Sequence, residues 1–492
     1  MVMFRECLLL LFKRYLPSLS LLWVYTTLQP CTSQVNYVRT GSSITTFPHD
    51  IPSNVDKIDI YSTSITVIEY IEVFPQLKTL SLNKNKLTAI PDLINISMTL
   101  ESLTLDRNLI TAVDYMPPMP VLSNLSIEYN VLRTFPDLTN VSSVLQYLFL
   151  GKNKIVVIDY IPPVPMMRQL RLNYNEVTNF PDLTNLSYSS QLEVYAQYNN
   201  FDVIHYLPFL PNMTIFSVAR SSVTMFPDLT NISISLQKLI IYGNLITEVN
   251  YIPSMPVLQY FDIHANRLTT FPDLCNMSTS LQILNIADNR ISKVNYIPPM
   301  PALEEFDIYK NKLTKFPDLT NLSDALQKLK LFENKISTVD YIPPMQSLQY
   351  ISLNTNFLTT FPDFANVSGS LEKLYMKAND ITEVPDHLLS TLTKLKLLTL
   401  GRPGSSSPIK IPNACYMGRN VNLKLKLYLD KVVCDKTAVY AKLAVAAGKL
   451  ILQAKVGPLT CSFPPELAGQ LYNDITILDL LHHINSKYNL LM

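Results

Sequence analysis

Seven asparagines of this 492-residue chain recur at one fixed place, each followed by any residue and then by serine. In a secreted protein Asn-x-Ser is the acceptor sequence for an N-linked glycan, so this spacing indicates glycosylation of an exposed turn. The alternative is that duplication copied a turn in which serine hydrogen-bonds the backbone. The predicted glycosylation sites are Asn95, Asn140, Asn185, Asn231, Asn276, Asn321 and Asn366.

Catalytic and metal chemistry find little support in the sequence. The six histidines have no spacing that resembles a zinc site or a catalytic triad, and only ten glycines are present, which argues against a phosphate-binding loop. The 40 basic and 39 acidic residues give a net charge of +1, which lacks the basic footprint of nucleic-acid binding. We therefore expect no enzyme activity, no cofactor, no metal and no nucleic-acid partner.

The acceptor asparagines belong to a repeated phrase, which reads FPDLTNVS at 135–142 and returns every 45 or 46 residues. A fixed period of this kind predicts an array of stacked units. Each unit contains two segments of the form LxxLxLxxNxL, such as LQYLFLGKNKI at 145–155. The alternation predicts a strand in which Leu148 and Leu150 face the core while Tyr147 and Phe149 face outward. Stacked copies would then form one continuous parallel sheet.

The slot that follows each predicted strand holds asparagine in thirteen of sixteen segments, from Thr63 to Pro403. An amide side chain donates and accepts, so these asparagines can satisfy buried backbone groups from one turn to the next. The FPDLTN phrase lies on the outer side of the coil, where Asp137 can cap a short helical turn. It alternates with proline-rich segments such as IDYIPPVP at 158–165, which favour an extended outer wall.

These segments resemble the leucine-rich repeat, and the resemblance runs from about residue 42 to 404. It implies an α/β solenoid, a leucine-rich-repeat horseshoe with a parallel β-sheet on its concave face and short turns and extended segments on its convex side. The predicted domains are a signal peptide at 1–33, an N-terminal cap at 34–54, an array of about 16 repeats at 55–404 and a C-terminal cap at 405–492. The chain ends resemble the flanking modules of extracellular members of the family, which implies a disulfide between Cys434 and Cys461. The pairing of Cys31, Cys275 and Cys415 stays open.

The first residues carry Arg5, Lys13 and Arg14 and then an apolar stretch that is short for a membrane span, as in a secretory signal. An uncleaved anchor is the alternative, and no later segment is apolar enough to cross a bilayer. The chain is therefore predicted to be secreted or associated with the cell surface.

Ligand binding is predicted for the outward-facing residues of the sheet, because tyrosine and arginine dominate binding hot spots. The strand propensity of aromatic residues gives the alternative of an inert sheet face. The family resemblance implies an extracellular protein or glycan partner in matrix or cell adhesion. A soluble recognition protein of innate immunity, similar to Toll-type ectodomains, and a structural coat protein are the alternatives, and a homodimer is left open. The predicted ligand-binding residues are Tyr147, Phe149, Arg171, Tyr195, Tyr198, Tyr242, Asp262, His264, Tyr309 and Phe332.

Overall fold

A computed structural model describes residues 35–186, 189–277, 279–322, 324–402, 424–428, 431–433, 445, 450–453 and 460–463. Short strands dominate this part of the chain. They are β1 (Asn36–Thr40), β2 (Lys57–Tyr61), β3 (Thr79–Ser81), β4 (Ser102–Thr104), β5 (Asn124–Ser126), β6 (Tyr147–Phe149), β7 (Gln169–Arg171), β8 (Leu192–Tyr195), β9 (Met213–Ser217), β10 (Lys238–Ile240), β11 (Tyr260–Asp262), β12 (Ile283–Asn285), β13 (Glu305–Asp307), β14 (Lys328–Lys330), β15 (Tyr350–Ser352), β16 (Lys373–Tyr375), β17 (Leu397–Leu400), β18 (Lys424–Tyr428), β19 (Lys431–Val433), β20 (Leu450–Gln453) and β21 (Thr460–Phe463).

The strands β1 to β18 and β20 form one sheet of 19 strands, in which each strand pairs in parallel with the next. Strands β2 to β17 correspond one to one with the sixteen predicted segments, so the predicted solenoid and its number of turns are confirmed. Strand β1 lies within the predicted N-terminal cap and pairs with β2, while β18 and β20 extend the sheet beyond β17. A separate pair is formed by β19 and β21.

The core is a single apolar cluster that follows the sheet from Phe47 to Leu450. Leu148 and Leu150 are fully buried, whereas Tyr147 and Phe149 lie half-buried on the opposite face, as the alternation predicted. A strand of three residues cannot cover its own apolar side, and therefore each turn is stable only beside its neighbours. Phenylalanines of the outer side complete the core, as in the edge-on contact of Phe180 with the buried Phe216.

The asparagine slot forms the predicted ladder. Asn311 shows the pattern: its Oδ1 accepts from the backbone N–H of Ile291 at 3.0 Å, and its Nδ2 donates to the carbonyls of Ile286 and Ile308 at 3.1 and 3.2 Å. The amide thus joins two successive turns at the point where the chain leaves the sheet. Ser221 occupies the slot in one turn, and its backbone N–H donates to Oδ1 of Asn244.

The FPDLTN phrase forms a short outer turn, as predicted. In the copy at 226–233 the Asp228 carboxylate accepts from the backbone N–H and the hydroxyl of Thr230, where a 3-10 helix begins. Five copies form 3-10 helices, at Ile94–Ile96, Thr184–Leu186, Thr230–Ile232, Cys275–Met277 and Ala365–Val367. The described residues contain one α-helix longer than a single residue, α1 (Asp386–Thr391).

The acceptor asparagines make a second set of contacts between turns, which the sequence did not predict. Nδ2 of Asn140 donates to the carbonyl of Met116 at 2.8 Å, and all seven asparagines make the equivalent bond to the residue 24 positions earlier. That carbonyl belongs to the other kind of outer segment in the preceding turn, which is proline-rich in every case except that of Ile71, the acceptor for Asn95. The two kinds of outer segment are therefore hydrogen-bonded to each other along the whole array.

No described helix has both the length and the apolar character that a membrane span needs. The predicted signal peptide at 1–33 and Cys434 of the predicted disulfide lie outside the described residues, as do Cys31 and Cys415.

Candidate ligand-binding ladder on the sheet face

The residue that precedes each buried asparagine of the asparagine slot has a left-handed backbone conformation. Lys152, Tyr174 and Tyr198 have φ angles of 55° to 56°, a region that costs a residue with a Cβ about 1–2 kcal/mol. The turn compensates for this cost because the backbone N–H still continues the sheet, as in the bond from Lys152 to the carbonyl of Asn173 at 2.7 Å. This backbone geometry places the side chain at the edge of the sheet face, in line with those of the turns above and below.

Eight side chains in eight consecutive turns stack on one another along this line, and we call them the ladder. Tyr174 and Tyr198 are stacked with ring centroids 4.1 Å apart, and Tyr242 and His264 are stacked at 4.4 Å. At about 4.8 Å per strand the ladder is about 34 Å long. Its members are Arg107, Tyr129, Lys152, Tyr174, Tyr198, Arg220, Tyr242 and His264.

The three cations of the ladder lie over the faces of its tyrosine rings. The guanidinium of Arg107 is 4.0 Å from the ring centroid of Tyr129, and Nζ of Lys152 lies between two rings at 4.6 and 4.8 Å. Arg220 lies between Tyr198 and Tyr242 at 5.6 and 5.8 Å. Such cation–π contacts stabilise by about 0.5–1 kcal/mol each at exposed sites, so the ladder is organised before any ligand binds.

Gly243 allows the ladder to continue past Arg220. It occupies the left-handed position of its turn with a φ angle of 68°, and a Cβ there would lie 2.7 Å from Cγ of Arg220. Because this position lacks a side chain, the arginine can reach the ring of the preceding residue, Tyr242. In this turn the ladder member, Tyr242, lies one place before the left-handed residue. His264 has the same position in the next turn, where Ala265 is the left-handed residue.

A second group lies beside the ladder on the strands themselves. The guanidinium of Arg171 is 4.5 Å from the ring centroid of Phe149 and 5.7 Å from that of Tyr195, and Tyr147 lies beside Phe149 with centroids 6.2 Å apart. The pKa of Tyr195 is raised to about 12, first by burial and then by the nearby Glu193. Its hydroxyl therefore stays protonated near neutral pH and donates to that carboxylate at 3.2 Å.

His264 is held in place by Asp262. Oδ1 of Asp262 lies 2.6 Å from Nδ1 of the imidazole, and Oδ2 accepts from the hydroxyl of Tyr260 at 3.1 Å. Burial, followed by the charge of Asp262, raises the pKa of Tyr260. The carboxylate is almost fully buried, so it acts here as a support for the imidazole and presents little surface to a ligand.

The last two predicted residues form a separate pair two turns further along. Tyr309 and Phe332 are stacked with centroids 4.1 Å apart. Below them Lys330 forms ion pairs with Glu305 and Asp307, and its Nζ lies 2.9 Å from Oδ2 of Asp307. Burial raises the pKa of the Asp307 carboxyl, while the lysine partly opposes this effect.

All ten predicted ligand-binding residues lie on the sheet face, in three groups. The ligand-binding residues predicted from the sequence include only three of the eight ladder members, Tyr198, Tyr242 and His264. The signal was present, since six of the eight members immediately precede the asparagine slot. The asparagine slot is therefore the sequence signal that marks most of this row.

The outer surface carries a row of tyrosines that the sequence analysis did not single out. One tyrosine of each proline-rich segment is exposed, as is Tyr70 at the equivalent place in the first turns, with exposed fractions from 54% at Tyr70 to 63% at Tyr160. An open groove of about 490 Å³ lies beside Tyr160, lined also by Phe135, Arg133 and Asp159. The row consists of Tyr70, Tyr115, Tyr160, Tyr206, Tyr251, Tyr296 and Tyr341.

The acceptor asparagines lie on the same outer side as these tyrosines. Five of them are exposed, and Asn185 and Asn231 are half-buried. The serine of the acceptor sequence also bonds the backbone in several copies, as in the 2.9 Å bond from Ser97 to the carbonyl of Ile94. The backbone role of serine is therefore real, and glycosylation at these sites stays a prediction.

Groups of three or more histidine, cysteine, aspartate or glutamate side chains that could hold a metal ion do not occur within the described ranges. No family model matches the chain, and no curated protein matches it. Several solved structures do. The chain is similar to YopM from Yersinia enterocolitica WA-314, with 22% identity, a TM-score of 0.56 and coverage of 77% of this chain and 79% of that one.

Two other likenesses point to the same architecture. The functional domain of InlJ from Listeria monocytogenes has 21% identity and a TM-score of 0.56, covering 77% of this chain and 75% of that one. A chain of the Toll–Spätzle complex of Drosophila has 15% identity and a TM-score of 0.60, covering 90% of this chain and 64% of that one. Taken with the parallel sheet of successive turns and the asparagine ladder, these likenesses show that the chain has the leucine-rich-repeat fold.

Proposed function

We propose that this protein is a secreted or cell-surface glycoprotein that binds another extracellular protein through its sheet face, as in matrix or cell adhesion. The observation that carries the proposal is the unbroken ladder of eight stacked side chains. Aromatic residues and arginine are enriched in binding hot spots, and here they are fixed before binding. A ligand would therefore find side chains that lose little conformational freedom on contact.

The outer surface supports the assignment of the sheet face as the binding surface. Glycans on the seven acceptor asparagines would cover one line of the outer side and leave the opposite face free. The hydrogen bond from each Nδ2 to the preceding turn is compatible with a glycan, because the nitrogen carries two hydrogens and only one is replaced. The immune-recognition alternative would use the same face, so the identity of the captured partner separates the two roles.

The test compares two triple variants of the purified full-length protein in pull-downs from extracellular material. The ladder variant changes Tyr198, Tyr242 and His264 to serine. The control variant changes three exposed outer tyrosines, Tyr160, Tyr206 and Tyr251, to serine. We expect the wild type and the control to capture the same partner and the ladder variant to lose it. Loss of the partner by the control alone would show that the outer row is the binding surface and would refute the proposal.

A further inference from the structure

The stacking in the ladder determines which parts of its side chains a ligand can reach. The faces of the tyrosine rings are occupied by the cation or ring of the next turn, as for Tyr174 between Lys152 and Tyr198. A sugar or a nucleobase needs a free ring face, and a cationic ligand needs the negative face of the π system. The exposed parts are ring edges, phenolic hydroxyls and the N–H groups of the cations. Because ring edges carry the positive end of the quadrupole, the exposed atoms favour an anionic ligand.

The cations of this region form no direct ion pair within the described part of the chain. No carboxylate oxygen lies within 4 Å of the charged nitrogens of Arg107, Lys152, Arg171 or Arg220, although ion pairs at this distance occur elsewhere on the sheet face. A guanidinium has five N–H donors, and contact with a ring face uses none of them. These groups therefore keep their capacity to bind carboxylates.

The nearest acidic side chains are Asp106 and Glu128, and Asp106 is hydrogen-bonded within the fold. Oδ1 of Asp106 accepts from the hydroxyl of Ser126 at 2.6 Å and from the backbone N–H of Glu128 at 2.8 Å. Burial raises the pKa of both Asp106 and Glu128, while Arg171 and Lys152 partly oppose the shift at Glu128. These two carboxylates would repel a densely charged polyanion, but neither forms a direct ion pair with Arg107, Lys152 or Arg220.

We infer that the ladder binds an extended, acidic segment of a protein partner that lies along the solenoid axis and crosses the strands. This inference rests on the proposed function and adds the charge, shape and direction of the ligand. Arg107 and Lys152 are two strands apart, or about 9.6 Å, and Arg220 is three strands further, or about 14 Å. An extended chain advances about 3.3 Å per residue and only alternate side chains share a face, so acidic side chains two and then four residues apart, which advance about 7 Å and about 13 Å, would lie nearest to the three cations on that face.

The test uses three synthetic fluorescent peptides with the full-length protein. The first has aspartates at those intervals in a serine and glycine background, the second has the same aspartates in one block, and the third has lysines in place of the aspartates. A sulfated polysaccharide serves as a fourth probe. We expect the spaced acidic peptide to bind most tightly, with an affinity that falls as salt is raised. Equal binding of the lysine peptide, or binding of the polysaccharide without the spaced peptide, would overturn the inference.

A charge variant changes Arg107, Lys152 and Arg220 to glutamine and leaves every ring in place. Its matched control changes Lys154, Lys312 and Lys335 to glutamine. These are three exposed lysines, each of which directly follows an asparagine of the asparagine slot. Both variants alter the net charge by the same amount. We expect the charge variant to lose roughly tenfold or more in affinity for the spaced peptide and the control to stay within about twofold. Equal losses would show that the effect is only one of overall charge and would refute the inference.

The same variants separate this inference from the proposed function. If the charge variant still captures the extracellular partner while the serine variant of the ladder does not, the sheet face binds protein but the acidic-segment assignment is wrong. If neither variant loses the partner, the proposed function itself fails. Circular dichroism of each variant must match the wild type, and this is expected because all the substituted side chains lie outside the core.

Discussion

The asparagine ladder should have a large and local effect on stability, and Asn311→Ala measures it. The substitution removes the acceptor for the backbone N–H of Ile291 and the donor to the carbonyls of Ile286 and Ile308. A buried polar group left without a partner costs about 1–3 kcal/mol, and carbonyls cost less than N–H groups, so we expect a total loss of about 3–5 kcal/mol. The cost should be this high because the site is buried and closed to water.

The matched control is Asn173→Ala on the sheet face. Oδ1 of Asn173 is buried without a hydrogen-bond partner, so its removal leaves no group newly unpaired and should not lower the free energy of unfolding. Urea unfolding followed by circular dichroism gives the comparison. Because repeat arrays depart from two-state behaviour, the midpoint of the first transition should be compared rather than a single global value. If the unfolding midpoint of Asn311→Ala equals that of Asn173→Ala, the stabilising role assigned to the buried asparagines is refuted.

Three further outcomes are expected. Lys310→Gly should raise the free energy of unfolding by about 0.5–1 kcal/mol, because it relieves a left-handed φ of 52°. Lys312→Gly has no such strain to relieve and should lower the free energy of unfolding. Melting temperatures of the two variants that shift in the same direction would contradict this. Asp228 has a pKa below its ordinary value because of its bonds to the turn, so its contribution is present above roughly pH 4 and is lost as the pH falls. Asp228→Asn keeps the acceptor oxygen without the titrating charge, and its melting temperature should fall less than that of the wild type on acidification. Ser142→Ala should remove the glycan at Asn140 but keep the hydrogen bond from Asn140 to the preceding turn, so it should lower the apparent mass with little loss of stability. Asn140→Ala removes the glycan and the hydrogen bond, so it should lower both the apparent mass and the stability.

The sequence predicted the parts of the fold that depend on periodicity. The alternation around Leu148 fixed which side of each strand is buried, and the repeated asparagine predicted the hydrogen bonds later seen at Asn311. These features are local and are copied in every turn, so one segment predicts the others. The outward direction of Tyr147 and Phe149 followed from the same alternation.

The ladder could not be predicted in this way, because it depends on contacts between different turns. Whether Arg220 lies over Tyr198 and Tyr242 depends on side-chain conformation and on the space left by Gly243, neither of which is visible in a single segment. The hydrogen bond from Asn140 to the preceding turn was missed for a related reason. Its acceptor is a backbone carbonyl, and no side-chain pattern marks it.

The bonds between the two outer segments also bear on how such a chain can change its length. Each acceptor asparagine reaches a carbonyl of the other kind of outer segment, as Asn276 reaches Ile252, and the 45-residue pair of turns is the smallest block that contains both. Gain or loss of one block would preserve every bond of this kind, whereas gain or loss of a single turn would place two like segments side by side. Genes encoding relatives of different sizes should therefore differ by whole blocks of about this length.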